Sequence, residues 1–242
     1  MSSVPRLSLV IPAWNEAERL PRLLDSMEAA RAACPAVIEV IVADNASTDA
    51  TAEIARARGC LVVPVEKRCI AASRNGGAAQ ARGEWLAFVD ADSVLHPQVF
   101  NALLKAADDP RTLGGASRVT MERWSLGIAL AFASMLPMVW LTGFDTGLVF
   151  WRREDHETLG GYDESKMIAE DVDMLWRLRR LGRPRGQKLV RLQGVKTITS
   201  SRKFDRHGDW HWFTQMPRIG WRLLRDPRGI TDFARRYWYE GR

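Results

Sequence analysis

Two aspartates close the run Glu84-Trp85-Leu86-Ala87-Phe88-Val89-Asp90-Ala91-Asp92. An apolar run of this kind reads as a buried strand, and it delivers two carboxylates to the strand's mouth. Carboxylates one residue apart repel each other and are costly to desolvate unless a cation lies between them. Hard oxygen ligands suit Mg²⁺ or Mn²⁺, ions that commonly join protein to phosphate oxygens. The pair therefore points to a metal–diphosphate site. The plainer reading is two solvated loop residues after an ordinary strand. A further acidic cluster, Glu170-Asp171-Val172-Asp173, opens a helical pattern. The helix dipole alone favours acids in a first turn, and that is its plain reading.

The elements that must position these groups follow from periodicity. Leu7 to Ile11 is an apolar run closed by Pro12 and reads as a buried strand. Asn15 to Ala33 has helical spacing, with Leu20, Leu23, Leu24 and Met27 on one face. Val37 to Ala43 is a second strand ending at Asp44. Asn45 to Asp49 forms a turn and helix cap before a helix from Ala50 to Arg58. Cys60 to Val65 is a third strand, Ile70 to Ala81 a helix ended by Gly83, and Glu84 to Val89 the fourth strand. Beyond these, Leu113 to Met121 and Gly143 to Arg152 read as strands, with a turn at Gly160-Gly161-Tyr162-Asp163-Glu164. Met174, Leu175, Leu178 and Leu181 share a face of a last helix capped by Gly182. Strands alternating with helices imply an α/β fold with a mostly parallel sheet, whose ligands bind at the strands' carboxyl ends. Pro12, Asp44 and Asp90 should then converge on one crevice.

The chain of 242 residues is 46% apolar and carries a net charge of +6. That describes a folded protein with an anionic partner such as a nucleotide or a phospholipid surface. Nucleic acid is excluded as a partner, because no binding motif accompanies the charge. Cys34, Cys60 and Cys69 show no CxxC spacing and read as reduced thiols of a cytosolic protein. Met1 to Arg6 leads straight into a strand-like run, with no room for a signal peptide.

Taken in order, the pieces resemble the inverting family 2 glycosyltransferases of the GT-A fold, in their bacterial single-domain form. The matching residues are Val10-Ile11-Pro12-Ala13-Trp14-Asn15-Glu16, Asp44-Asn45-Ala46-Ser47-Thr48-Asp49, and Arg74-Asn75-Gly76 with Ala79, Ala81 and Gly83. They continue with Phe88-Val89-Asp90-Ala91-Asp92, Gly160 to Glu164, and Glu170-Asp171. The resemblance runs over residues 7–182. It implies a GT-A domain over 1–200, with a nucleotide-binding half to about 95 and an acceptor half from about 96, and a basic aromatic tail over 201–242.

The resemblance also implies roles. Pro12, Ala13, Trp14 and Glu16 would line the nucleotide pocket, Asp44 would bind the base edge, and Arg74 would lie near the diphosphate. Asp90 would contact the ribose or the metal's water shell, and Asp92 would ligate Mg²⁺ or Mn²⁺ directly. Asp171 would be the catalytic base, with Glu170 as a supporting acid. The chemistry suits these residue types: a divalent ion offsets the charge of a departing nucleoside diphosphate, and a carboxylate activates an acceptor hydroxyl. The implied reaction moves one sugar from a UDP- or GDP-sugar to a hydroxyl acceptor, lipid-linked or part of a cell-envelope glycan. The Gln-x-x-Arg-Trp motif of processive synthases is absent. No motif marks a third metal ligand; His207 is the candidate, with His211 second. Tyr162 stands where the family's turn more often has phenylalanine, a conservative change. Two alternatives stand beside this reading. One is a nucleotide-sugar-binding protein without catalysis. The other is a nucleotidyltransferase, which would want a glycine-rich loop where Pro12 to Glu16 lies.

Trp124 to Phe144 contains no charged residue. Its length suits a membrane span, yet a single span would part Asp90 from Asp171. A buried core helix and a helix lying in the membrane interface both fit. From Arg202 onward ten Lys/Arg face five Asp/Glu, with Trp210, Trp212, Phe213, Trp221, Phe233, Tyr237 and Trp238 among them. Such a tail suits an anionic membrane surface, a fold-back over its own domain, or a homodimer contact. Ser201-Arg202-Lys203-Phe204 with Gly208 resembles the segment that closes over the donor phosphates in small bacterial family 2 enzymes, which makes Arg202, Lys203 and Arg206 candidates for diphosphate contacts. The expected location is cytoplasmic, with peripheral contact at the membrane's inner face.

Overall fold

A computed structural model describes residues 4–142, 147–166 and 170–215. The chain divides into two compact units, Met1–Thr120 with Phe144–Thr199 and Met121–Gly143 with Ser200–Arg242.

The first unit is built on strands β1 (Leu7–Ala13), β2 (Ile38–Asp44), β3 (Leu61–Pro64), β4 (Trp85–Phe88), β5 (Thr112–Met121), β6 (Val149–Arg152) and β7 (Lys188–Thr199). Its helices are α1 (Leu20–Ala32), α2 (Thr51–Ala57), α3 (Ile70–Ala79), α4 (Val99–Ala107), α6 (Arg153–Thr158) and α7 (Glu170–Gly182). The seven strands form one sheet in the order β3-β2-β1-β4-β6-β5-β7. β1 pairs in parallel with β2 and β4, and β2 with β3. β6 runs antiparallel to β4 and β5. This is the mostly parallel α/β sheet with flanking helices that the sequence implied.

Every residue of β1 is buried, because helices cover both faces of the sheet. Leu7, Leu9, Ile11 and Ala13 face a core shared with Leu20, Leu23, Leu24 and Met27 of α1 and with Phe100 and Leu103 of α4. Val10, Ile41, Leu86, Phe88 and Trp151 face the opposite layer, which holds Met174, Leu175 and Leu178 of α7.

β1 runs past Ile11, because Pro12 and Ala13 still pair with Ala43 and Asp44. Pairing with β4 ends at Val10 opposite Phe88, and the Val10 carbonyl receives Val89 N–H. Pro12 points to that same, already open side, so its missing N–H leaves no ladder bond unmade. α1 begins later than Asn15, at Leu20. Pro21 fills its first turn, where a proline costs no hydrogen bond. α4 and β7 were not among the expected elements. α4 had a legible signal in Val99, Phe100, Leu103, Leu104 and Ala107, all buried. β7 had little, being an edge strand with most of its residues exposed or half-buried.

In the second unit, α5 (Leu126–Thr142) and α8 (Arg202–His207) are described. Arg123 joins Asp205 at 2.6 Å and Asp209 at 2.7 Å. On α5, Ile128 and Ala131 are fully buried, whereas Leu126, Leu130 and Leu136 are exposed, as is Trp124 just before it. No helix among the described residues is long and apolar enough to cross a membrane. Trp221, Phe233, Tyr237 and Trp238 of the expected tail lie outside the described residues.

Gly83, at the entrance to β4, passes close to β1. A Cβ there would lie 2.6 Å from Ser8 N and 2.7 Å from the Leu7 carbonyl carbon. Gly83→Ala is therefore expected to lower the unfolding free energy by about 1–3 kcal/mol, read by urea denaturation. Gly76, whose Cβ would meet only the Val65 side chain, is the milder comparison.

Candidate active site

The chain leaves β1 for β2 and β3 on one side and returns with β4 on the other. That reversal opens a crevice at the carboxyl ends of β1 and β4, the position where open α/β sheets bind ligands. Pro12 and Ala13 end β1 there, both buried, with Trp14 half-buried behind them. Asp44 ends β2, and its Oδ1 accepts Ser47 N–H at 3.3 Å.

The loops after β1 and β2 are laced together. Asn15 N donates to Ser47 Oγ at 3.0 Å, and Asn15 Oδ1 accepts Thr48 N–H at 2.8 Å. Buried Glu16 donates its N–H to Thr51 Oγ1 at 2.8 Å. Asn45 is also buried, and its Nδ2 donates to the carbonyls of Val65 and Lys67. Asn15 at φ +51° and Ala46 at φ +56° sit in the left-handed region. Ala46 gains no side-chain hydrogen bond from that conformation, so its backbone carries strain of order 1–2 kcal/mol.

A second group gathers beside this crevice. Arg74 of α3 is only 4% exposed. Its Nη1 donates to Glu170 Oε1 at 2.9 Å and to Asp171 Oδ1 at 2.7 Å, and its Nη2 donates to Asp90 Oδ1 at 3.1 Å. Tyr162 lies beneath the guanidinium, 5.2 Å from it to the ring centroid, and its hydroxyl donates to Asp171 Oδ1 at 2.9 Å. The sheet supplies Asp90, α3 supplies Arg74, and the first turn of α7 supplies both acids.

One cation thus serves three carboxylates. Burial pushes the Asp171 carboxyl above the usual range; Arg74 pulls it back and Asp90 pushes it further up. Glu170 rises for the same leading reason, with Arg74 opposing. Burial lifts the Tyr162 phenol well above its ordinary value, so it is a donor at neutral pH. Arg74 stays charged: burial opposes its cation, and Asp171, Tyr162, Asp90 and Glu170 outweigh that.

Asp90 and Asp171 therefore meet through a single side chain, although 81 positions separate them in sequence. The Asp90 side chain is half exposed toward the crevice, and Asp92 is half-buried in the following turn. Among the described residues no group of three His, Cys, Asp or Glu is arranged to hold a metal. His207 lies in the second unit, exposed on α8, with its ring centroid 5.7 Å from that of His211.

Three contributors escaped the sequence. The Tyr162 hydroxyl reaches the expected base. Asn75 brackets the Tyr162 backbone. His156 is buried beneath the same aromatic layer, stacked 5.7 Å from Phe88; burial pushes its pKa down to about 4, with Arg177 adding to the fall and Glu157 opposing. It is a neutral core histidine. Asn75 and Tyr162 each stood in a motif, Asn75 next to Arg74 and Tyr162 in the turn from Gly160 to Glu164, whereas His156 had no signal.

The sequence model described as glycosyl transferase family 2 matches residues 8–154. The chain belongs to glycosyltransferase family 2. It is 31% identical over 112 residues to the succinoglycan biosynthesis protein ExoO of Rhizobium meliloti strain 1021, a match covering 45% of this chain and 31% of that protein. Among solved structures it resembles S. aureus TarS 1-349, with a TM-score of 0.61 and 18% identity over 82% of this chain and 61% of that one. The mannosyltransferase PcManGT of Pyrobaculum calidifontis, in complex with GDP-Man and Mn²⁺, matches with a TM-score of 0.59 and 23% identity. That match covers 81% of this chain and 57% of the other. The fold is the GT-A fold of these enzymes. The chain spans about a third of the length of the curated relative and under two thirds of either solved structure.

The raised acids carry a signed consequence for stability. A carboxyl whose folded pKa lies above its unfolded value stabilises the fold below the unfolded value, and that contribution is lost as pH rises through the folded one. Glu170→Gln removes the ionisation and keeps the shape. It is expected to raise the melting temperature relative to the native chain at pH 8, with the advantage fading toward pH 4, as read by thermal denaturation across pH.

Proposed function

We propose that this chain is an inverting glycosyltransferase that moves a single sugar from a UDP- or GDP-sugar to a hydroxyl acceptor. The observation that carries the proposal is the shared guanidinium. Arg74 ties Asp90, at the nucleotide end of the sheet, to Asp171, a buried carboxylate of raised pKa. A donor held over Asp90 would thereby lie next to a group suited to proton removal.

In this reading Pro12, Ala13, Trp14, Glu16 and Asp44 form the nucleotide pocket. Asp90 and Asp92 would hold Mg²⁺ or Mn²⁺. Two carboxylates fit such an ion, which takes one or two from protein and completes its shell with phosphate oxygens and water. When bound, the ion offsets charge on the departing diphosphate. GDP-Man and Mn²⁺ in the PcManGT structure support a donor and metal of this type. Asp171 accepts the acceptor's proton on the face opposite the leaving group, which gives inversion. Glu170 supports it by competing for Arg74. Both acids lie beyond residues 8–154 of the family match, so their roles rest on the site's geometry.

Asp171→Asn tests the assignment. Turnover, read as UDP or GDP release from the nucleotide sugar with Mn²⁺, should fall by about 10²–10⁴-fold. Nucleotide binding should persist: a hundredfold excess over Kd should raise the melting temperature by about 5–10 °C. Normal turnover in this variant would remove Asp171 from the role of base.

For the acceptor we infer a lipid-linked or cell-envelope hydroxyl compound, approached by a cytoplasmic protein in peripheral contact with an anionic membrane. Exposed Trp124, Leu126, Leu130 and Leu136, with exposed Trp210 and Phe213 in the same unit, support that contact. Vesicles containing anionic phospholipid should float the protein, and Leu126→Ser with Leu130→Ser should weaken flotation several-fold. Equal behaviour of the native and altered chains would sink the contact.

A further inference from the structure

Tyr162 is fixed in place independently of the acid it meets. Asn75 on α3 brackets its backbone: Oδ1 accepts Tyr162 N–H at 2.8 Å, and Nδ2 donates to the Tyr162 carbonyl at 2.9 Å. Gly161 makes that approach feasible. Its φ is +73°, and a Cβ there would lie 2.5 Å from Asn75 Oδ1. The Tyr162 ring packs edge-on to Phe88, with centroids 5.3 Å apart, and against Trp151 at 5.8 Å. The residue is 2% exposed.

A phenylalanine would satisfy all of these contacts. The hydroxyl adds one thing, the 2.9 Å hydrogen bond to Asp171 Oδ1. Arg74 Nη1 donates to that same oxygen at 2.7 Å. Two donors on one carboxylate oxygen fix the group's orientation and lower the basicity of that oxygen. The other oxygen, Oδ2, is then the stronger acceptor.

We infer that Tyr162 is a positioning residue for transfer: with Arg74 it anchors Asp171 through Oδ1, so that Oδ2 takes the acceptor's proton. The inference rests on Asp171 being the base. In the step itself the acceptor O–H proton passes to Oδ2 and the acceptor oxygen bonds the anomeric carbon. The bond from that carbon to the diphosphate oxygen breaks, and its electron pair leaves with the nucleoside diphosphate. Among the described residues, the charged and titratable groups around Asp171 are Arg74 from α3, Asp90 from the end of β4, Glu170 beside it and Tyr162. Of these, Tyr162 is the one that can be trimmed without changing the charge of the cluster.

The test is Tyr162→Phe beside Asp171→Asn, with UDP or GDP release measured from the nucleotide sugar in Mn²⁺. Phenylalanine keeps the packing and the Asn75 bracket. We expect kcat to fall about tenfold with donor KM within about twofold, and the acid limb of the pH–kcat profile to move upward, since the hydroxyl favours the ionised acid. An unchanged kcat, or a loss carried by donor KM instead, would overturn the inference. If Asp171→Asn turns over normally, the base assignment itself falls. If Asp171→Asn is inactive while Tyr162→Phe matches the native chain, only the role of Tyr162 falls.

Discussion

The site depends on one buried cation. Arg74 is nearly inaccessible, and neither it nor Glu170 and Asp171 could be buried alone without a large desolvation cost. Held together they are mutually tolerable. Losing Arg74, the one cation, would leave buried carboxylates uncompensated, a loss that typically costs about 3–5 kcal/mol. That constraint dictates where α7 begins, since both of its first acids must reach a guanidinium on α3. It also dictates that the end of β4 lies on the same side, since Asp90 accepts from the guanidinium's Nη2.

The cluster holds more potential negative charge than positive. Burial therefore raises Glu170 and Asp171, and Arg74 only partly offsets it. A carboxyl tuned upward in this way suits proton transfer near neutral pH. The same imbalance makes the pair a burden on stability once ionised, so the proposed proton-transfer role and stability oppose each other here. The surrounding parts are tied together by hydrogen bonds and ring contacts: the Asn75 bracket, the aromatic layer of Phe88, Trp151, His156 and Tyr162, and the laced loops after β1 and β2.

The second unit follows different rules. α5 buries Ile128 and Ala131 while leaving several large apolar side chains in solvent. Its buried residues fit the core-helix expectation and its exposed apolar ones the interfacial expectation. Arg123 shows how the unit is tied, with one guanidinium joining Asp205 and Asp209. Asp209 is held down to about 2, first by its hydrogen bond from Arg123.

Much of the crevice at the carboxyl ends of β1, β2 and β4 was determined by sequence alone. Continuous apolar runs such as Leu7 to Ile11 can be little else than doubly covered strands, and the alternation with helical spacing leaves few topologies. Strand ends then place Pro12, Asp44 and Asp90 together without coordinates. The acid cluster at the start of α7 was different. Glu170 and Asp171 alone read as acids favoured by a helix dipole, and Tyr162 as a conservative replacement. Only the tertiary structure brought them onto Arg74 and gave the tyrosine hydroxyl a partner. The physical reason is range: periodicity reports a residue's own element, whereas a shared hydrogen bond and a desolvation penalty belong to groups that folding brings together from 16 to 97 positions away.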